Sequence, residues 1–144
     1  MNRTTIGASG GNGVHATAKF DAVVIGAGVA ELYQLYPLRE FGLHVRAIDA
    51  ALGVGGTRYW NRYPGARVDS EGYVYPYILS ESLYKGWSRS EKCLSQPEIE
   101  RWLNYVADEL DLRKDIQFGM TVQSAHFNEA AERSVVAINK CPSG

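Results

Sequence analysis

The stretch DAVVIGAGVAELYQLYPLREFGLHVRAID, residues 21–49, decides the fold. Ala22 to Ile25 is a short apolar, β-branched run without alternation. That pattern suits a strand of a parallel sheet, buried on both faces. Gly26 and Gly28 follow at once. A helix-like segment then runs from Val29 to about Phe41, with Leu32, Leu35, Tyr36 and Leu38 on one face. Gly42 is placed to end it. LHVRAIDA, residues 43–50, reads as a second short strand. Together these form a β-α-β unit of roughly thirty residues.

The turn inside this unit has a physical logic. Gly26 permits a tight passage from strand to helix. Gly28 carries no side chain, so a pyrophosphate can approach the backbone. The helix N-terminus offers N–H groups and a partial positive charge to the phosphates. Asp49 ends the second strand, twenty-one residues after Gly28. At that distance an acidic residue accepts hydrogen bonds from ribose hydroxyls. The same carboxylate repels a 2′-phosphate, so an NADP adenosine half is not expected here. The competing reading is a plain buried strand followed by a glycine-rich loop.

The spacing G-x-G-x-x-G is incomplete, because Glu31 stands where the third glycine belongs. A glutamate there adds bulk between helix and strand and a negative charge within a turn of the phosphates. It also places a favourable charge at the helix N-terminus, where it competes with a phosphate. Pro37 falls inside the helical pattern, where proline costs about 3 kcal/mol. Both residues predict a weakened β-α-β unit.

The rest of the chain bounds the function. Its 144 residues suffice for one domain with a modest core. A net charge of −1, with 22% charged residues, argues against a nucleic-acid or membrane-surface role. No apolar run is long enough for a transmembrane helix. Residues 1–19 are rich in Gly, Ser, Thr and Asn, lack the apolar run of a signal peptide, and read as a flexible tail. Cys93 and Cys141 stand apart and suit a reducing cytoplasm. His15, His44 and His126 form no metal-ligand spacing. SQPEIERWLNYVADELDL, residues 95–112, reads as a helix with Ser95 as cap and Pro97 in its first turn. Ile99, Leu103, Val106 and Leu110 mark its buried face. IQFGMTVQSAHF and RSVVAI read as two strands joined by the polar turn NEAAE.

Between these elements lies GVGGTRYWNRYPGARVDSEGYVYPY, residues 53–77, dense in Gly, Tyr and Pro. A long irregular stretch inside a compact domain is usually functional. This string resembles the signature stretch of Baeyer–Villiger monooxygenases, flavin enzymes that insert oxygen beside a ketone carbonyl. Residues 95–118 are similar to the helix and strand that follow it in that family. The resemblance runs from Phe20 to about Ile138.

The resemblance implies an α/β fold: part of an FAD-binding, Rossmann-like domain, doubly wound on a parallel sheet, with a β-hairpin excursion. It implies that the β-α-β unit holds the ADP half of FAD. Gly26, Gly28 and Ala30 would face the pyrophosphate and Asp49 the ribose. Gly55, Gly56, Thr57, Arg58, Tyr59 and Trp60 would wrap toward the flavin. Asp69 and Tyr75 match positions beside the flavin. Arg67, Val68 and Asp69 match a segment that also meets the nicotinamide side of NADPH. Val122 matches a position whose backbone contacts the adenine. Asp69 would support a catalytic arginine that lies further along the family's chain. Ketone and molecular oxygen would be the substrates, and esters or lactones the products.

Each residue has a plainer alternative. Tyr59, Trp60 and Tyr63 also fit as core aromatics of a large loop. Arg67 and Asp69 also fit as a surface ion pair, and Asp69 alone as a turn residue. Glu31, Pro37, Arg58, Val68 and Gly72 depart from the family pattern. The family's NADPH-binding fold is absent, as is the fingerprint between its two folds. Residues 20–144 are therefore expected to be a truncated FAD-binding domain, unable to complete a catalytic cycle alone. The alternative is a non-catalytic or vestigial FAD-binding fragment.

Overall fold

The computed structural model describes residues 4–8, 17–72 and 81–142. Its centre is a parallel sheet of three strands, β3 (Ala22–Ile25), β4 (Val45–Ile48) and β5 (Ile116–Gln117), in the order β3-β4-β5. The helix α1 (Val29–Glu40) connects β3 to β4, which is the β-α-β unit expected from the spacing. Gly42, at φ +75°, turns the chain out of α1. Period two decides which side chains of the sheet go where. Val24, Val45 and Ala47 face α1 and the long helix α4 (Gln96–Glu109), together with Leu32, Leu35, Ile99 and Leu103. Val23 and Ile48 face the opposite way, into a smaller core.

That smaller core is closed by a second, mixed sheet. Its strands are β1 (Thr4–Ala8), β2 (Thr17–Phe20), β6 (Met120–Asn128) and β7 (Arg133–Lys140), in the order β2-β1-β7-β6. Ile6, Phe20, Val136 and Ile138 pack on Ile48. The expected hairpin is β6–β7, antiparallel, with Asn128 Oδ1 accepting from Ala131 N at 2.9 Å in its turn. The parallel sheet thus lies between a helical layer and this second sheet.

Four expectations are corrected. Residues 4–8, read as part of a flexible tail, form β1, which pairs with β2 and runs parallel to β7. Thr4, Thr5 and Ile6 are β-branched, and Ile6 is buried. IQFGMTVQSAHF is not one strand: Gly119, at φ +68°, breaks it, so β5 joins the parallel sheet and β6 the mixed one. β3 is not buried throughout. It pairs only with β4 among the described residues, and Ile25 is 56% exposed. Ser95 occupies the cap position of α4, but its side chain makes no cap hydrogen bond.

In α4, Ile99, Leu103 and Val106 are fully buried, as their spacing predicts, and Leu110 packs partly buried at the end. Trp102 is also buried, stacked on Trp87 with ring centroids 4.5 Å apart. Burying a side chain of this class contributes about 1.5–3 kcal/mol. Arg39, in the last turn of α1, donates to the carbonyls of Leu110 and Asp111 at 3.2 and 2.7 Å. This clamp ties the ends of α1 and α4 together. Beside it, a side-chain hydrogen bond from Lys114 holds the Asp111 carboxyl below the usual carboxylate range. Two short helices, α2 (Thr57–Trp60) and α3 (Glu81–Lys85), lie between β4 and α4.

Candidate functional site

The end of β3 opens into a cavity of about 480 Å³. Its floor is the loop Gly26–Ala27–Gly28, and its walls include Glu31, Asp49, Gly55, Gly56, Thr57 and Arg58. Gly26 takes φ +115°, which a side chain disfavours, and its N–H donates to Ile48 O at 2.7 Å. Gly28 is the N-cap of α1. The following loop then packs directly on the first. Gly55 N donates to Ala27 O at 3.1 Å, and a Cβ on Gly56 would sit 2.7 Å from the Gly28 Cα. Only glycines allow two backbones to approach this closely.

Asp49 is buried at the tip of β4. Its Oδ2 accepts from Ala27 N at 2.6 Å and its Oδ1 from Ala51 N at 2.7 Å. Its backbone N donates to Gln117 O and its carbonyl accepts from Met120 N, both at 3.0 Å. One residue therefore fixes the glycine loop, β5 and the start of β6 together.

Glu31 occupies the third helical position. Its Oε2 accepts from Gly28 N at 3.1 Å, which is half of a capping box; glycine lacks the side chain for the other half. The side chain folds back over the loop. A Cβ on Gly26 would meet Glu31 Cγ at 3.0 Å, and one on Gly28 would meet Oε2 at 2.9 Å.

The predicted site residues do not all come together. Gly26, Gly28, Ala30, Asp49, Gly55, Gly56, Thr57 and Arg58 share the cavity. Tyr59 and Trp60 line a neighbouring, more apolar cavity of about 590 Å³ with Leu52, Phe118 and Met120. Trp60 and Tyr63 are 61% and 63% exposed, so neither is a core aromatic. Tyr59 braces its own loop: its hydroxyl accepts from Leu52 N at 3.3 Å, and the Arg62 guanidinium lies over its ring. Arg67, Val68 and Asp69 line neither cavity. Arg67 pairs with Glu91 at 2.5 Å, not with Asp69. Val68 is in the main core, and Asp69 is exposed. Val122, on β6 opposite Ile138, packs against the smaller core. Tyr75 lies outside the described residues.

Gln96 was missed by sequence reasoning. It is buried at the start of α4, and its Nε2 donates to Arg58 O and to Glu100 Oε2. It therefore positions the backbone of α2 beside the cavity. Its place before a helix-initiating proline gave no chemical signal. Among the described residues no cluster of three metal-ligating side chains occurs, and no helix is long and apolar enough to cross a membrane.

No protein-family model matches the chain. Individual proteins do. It is 62% identical over 118 residues to an acetone monooxygenase (methyl acetate-forming) of Gordonia sp. strain TY-5, covering 82% of this chain and 22% of that protein. It is 51% identical over 113 residues to a Baeyer–Villiger monooxygenase of Pseudooceanicola batsensis, covering 78% of this chain and 21% of that protein. This chain belongs to the Baeyer–Villiger monooxygenase family. Two solved structures of the family share the fold. A steroid monooxygenase bound to NADP superposes with a TM-score of 0.76 at 47% identity, over 82% of this chain and 24% of the other. OTEMO in complex with FAD and NADP gives 0.78 at 43%, over 83% and 22%. The chain thus spans under a quarter of the length of these family members.

Proposed function

We propose that this chain forms the part of a Baeyer–Villiger monooxygenase that holds the ADP half of FAD. The observation behind it is the cavity at the end of β3. There a glycine loop enters a helix, Asp49 stands beside it, and a second glycine pair closes on it. Gly26 and Gly28 line that cavity at the start of α1, the strand-to-helix turn at which a dinucleotide's diphosphate meets free backbone N–H groups. Gly26, Gly28 and Ala30 would receive the pyrophosphate, and Asp49 the ribose. Thr57, Arg58, Tyr59 and Trp60 would extend toward the flavin, with Asp69, Tyr75 and the backbone of Val122 around the rest of the cofactor. FAD, reduced by NADPH, supplies the redox chemistry by which such enzymes convert a ketone and oxygen into an ester or lactone.

The test is titration of the purified chain with FAD by calorimetry. One site is expected, displaced by ADP and not by FMN, which lacks the adenylate half. Displacement by FMN and not by ADP would overturn the assignment. A second reading is FAD binding without turnover, since the chain matches only 22% of the length of the acetone monooxygenase. NADPH oxidation by the chain with FAD and a ketone separates the two readings.

A further inference from the structure

We infer that Glu31 is a built-in competitor of the dinucleotide's diphosphate, so that this site discriminates against its own ligand by charge. The inference rests on the assignment of the cavity to an ADP moiety. A phosphate oxygen that accepts from Gly28 N–H must sit about 3 Å from that nitrogen. Glu31 Oε2 already sits there, at 3.1 Å. The glutamate Cγ and Cδ lie 3.0 and 3.1 Å from the point where a Cβ of Gly26 would project. The side chain therefore fills the space that the two glycines leave open, and it satisfies the donor that the diphosphate needs. A diphosphate entering the loop meets both an occupied N–H and a like charge at contact distance.

Competition differs from loss. Glu31 belongs to the first turn of α1 and is only half-buried, so its side chain has room to rotate outward. The loop beneath it keeps its form through bonds that do not involve Glu31: Ala27 N to Asp49, Gly26 N to Ile48 O, and Gly55 N to Ala27 O. Displacing the carboxylate costs the helix one capping bond and leaves the cradle intact. The cost falls on ligands in proportion to their charge at the diphosphate position. Adenosine carries none and escapes it.

The experiment compares wild type, Glu31→Gln and Glu31→Gly for binding of adenosine, ADP and FAD by calorimetry. Glu31→Gln keeps the capping acceptor and removes the charge. Glu31→Gly removes the plug as well. ADP and FAD are expected to bind about ten- to a hundredfold more tightly to Glu31→Gly than to wild type, with Glu31→Gln between them. Adenosine affinity should be the same in all three. Equal ADP affinity in wild type and both variants would overturn the inference and leave the cofactor assignment standing. Failure of adenosine, ADP and FAD to bind any of the three proteins would overturn the assignment, and this inference with it.

Discussion

The Asp49 carboxylate is committed twice over, to Ala27 N and to Ala51 N. Hydrogen bonds to an ionised acceptor are stronger than neutral ones, and a buried N–H left without a partner is costly. Asp49→Ala strands both N–H groups at once. It is expected to lower the unfolding free energy by about 2–5 kcal/mol, read from urea denaturation followed by tryptophan fluorescence. An unchanged midpoint would mean that the two loops hold themselves and that Asp49 serves only a ligand. The spacing of twenty-one residues from Gly28 was enough to single out Asp49. Its structural role was not legible, because which N–H groups reach its oxygens depends on where two loops land. Glu31 was legible as a misplaced charge, but only the folded geometry brings its carboxylate onto Gly28 N.

At the scale of elements, periodicity carried the helices. In α1 the predicted positions Leu32 and Leu35 are buried, with Tyr36 and Leu38 packed against them. The strands after α4 were less legible. A run of apolar residues from Ile116 does not announce that Gly119 will hand the chain from one sheet to another. Pro37 offers a direct test of what tertiary packing tolerates. It lies inside α1, which continues to Glu40, and its carbonyl accepts from Phe41 N at 2.9 Å. Its ring still removes one backbone donor and crowds the preceding turn. Pro37→Ala is expected to stabilise the chain by about 1–3 kcal/mol, after allowing for the entropy a proline removes from the unfolded state. The denaturation midpoint should rise with an unchanged slope. A lower midpoint would show that the proline fits α1 better than an ordinary helical residue does.

Across the whole molecule, the site depends on a layer that composition concealed. The parallel sheet has Ile48 on the face away from the helices, immediately before Asp49. What covers Ile48 is the mixed sheet, and the inner strand β1 joins β2 to β7 in that sheet. Residues 4–8 gave little sign of this, because their neighbours are Gly, Ser, Thr and Asn. The partner of β1, β7, is more than a hundred residues away, and such non-local pairings leave no local pattern. If β1 is integral, truncating its buried side chain should be felt at β7. Ile6→Ala is expected to cost about 2–4 kcal/mol by opening the small core, and to speed amide exchange along β7. The glycine loop should keep its own exchange protection, since Val24 and α1 belong to the other core. If Ile6→Ala leaves both the denaturation midpoint and the β7 amides unchanged, the smaller core closes on Phe20, Val136 and Ile138 alone. The support for Asp49 would then come from β5 and β6, whose backbone bonds to it are already in place.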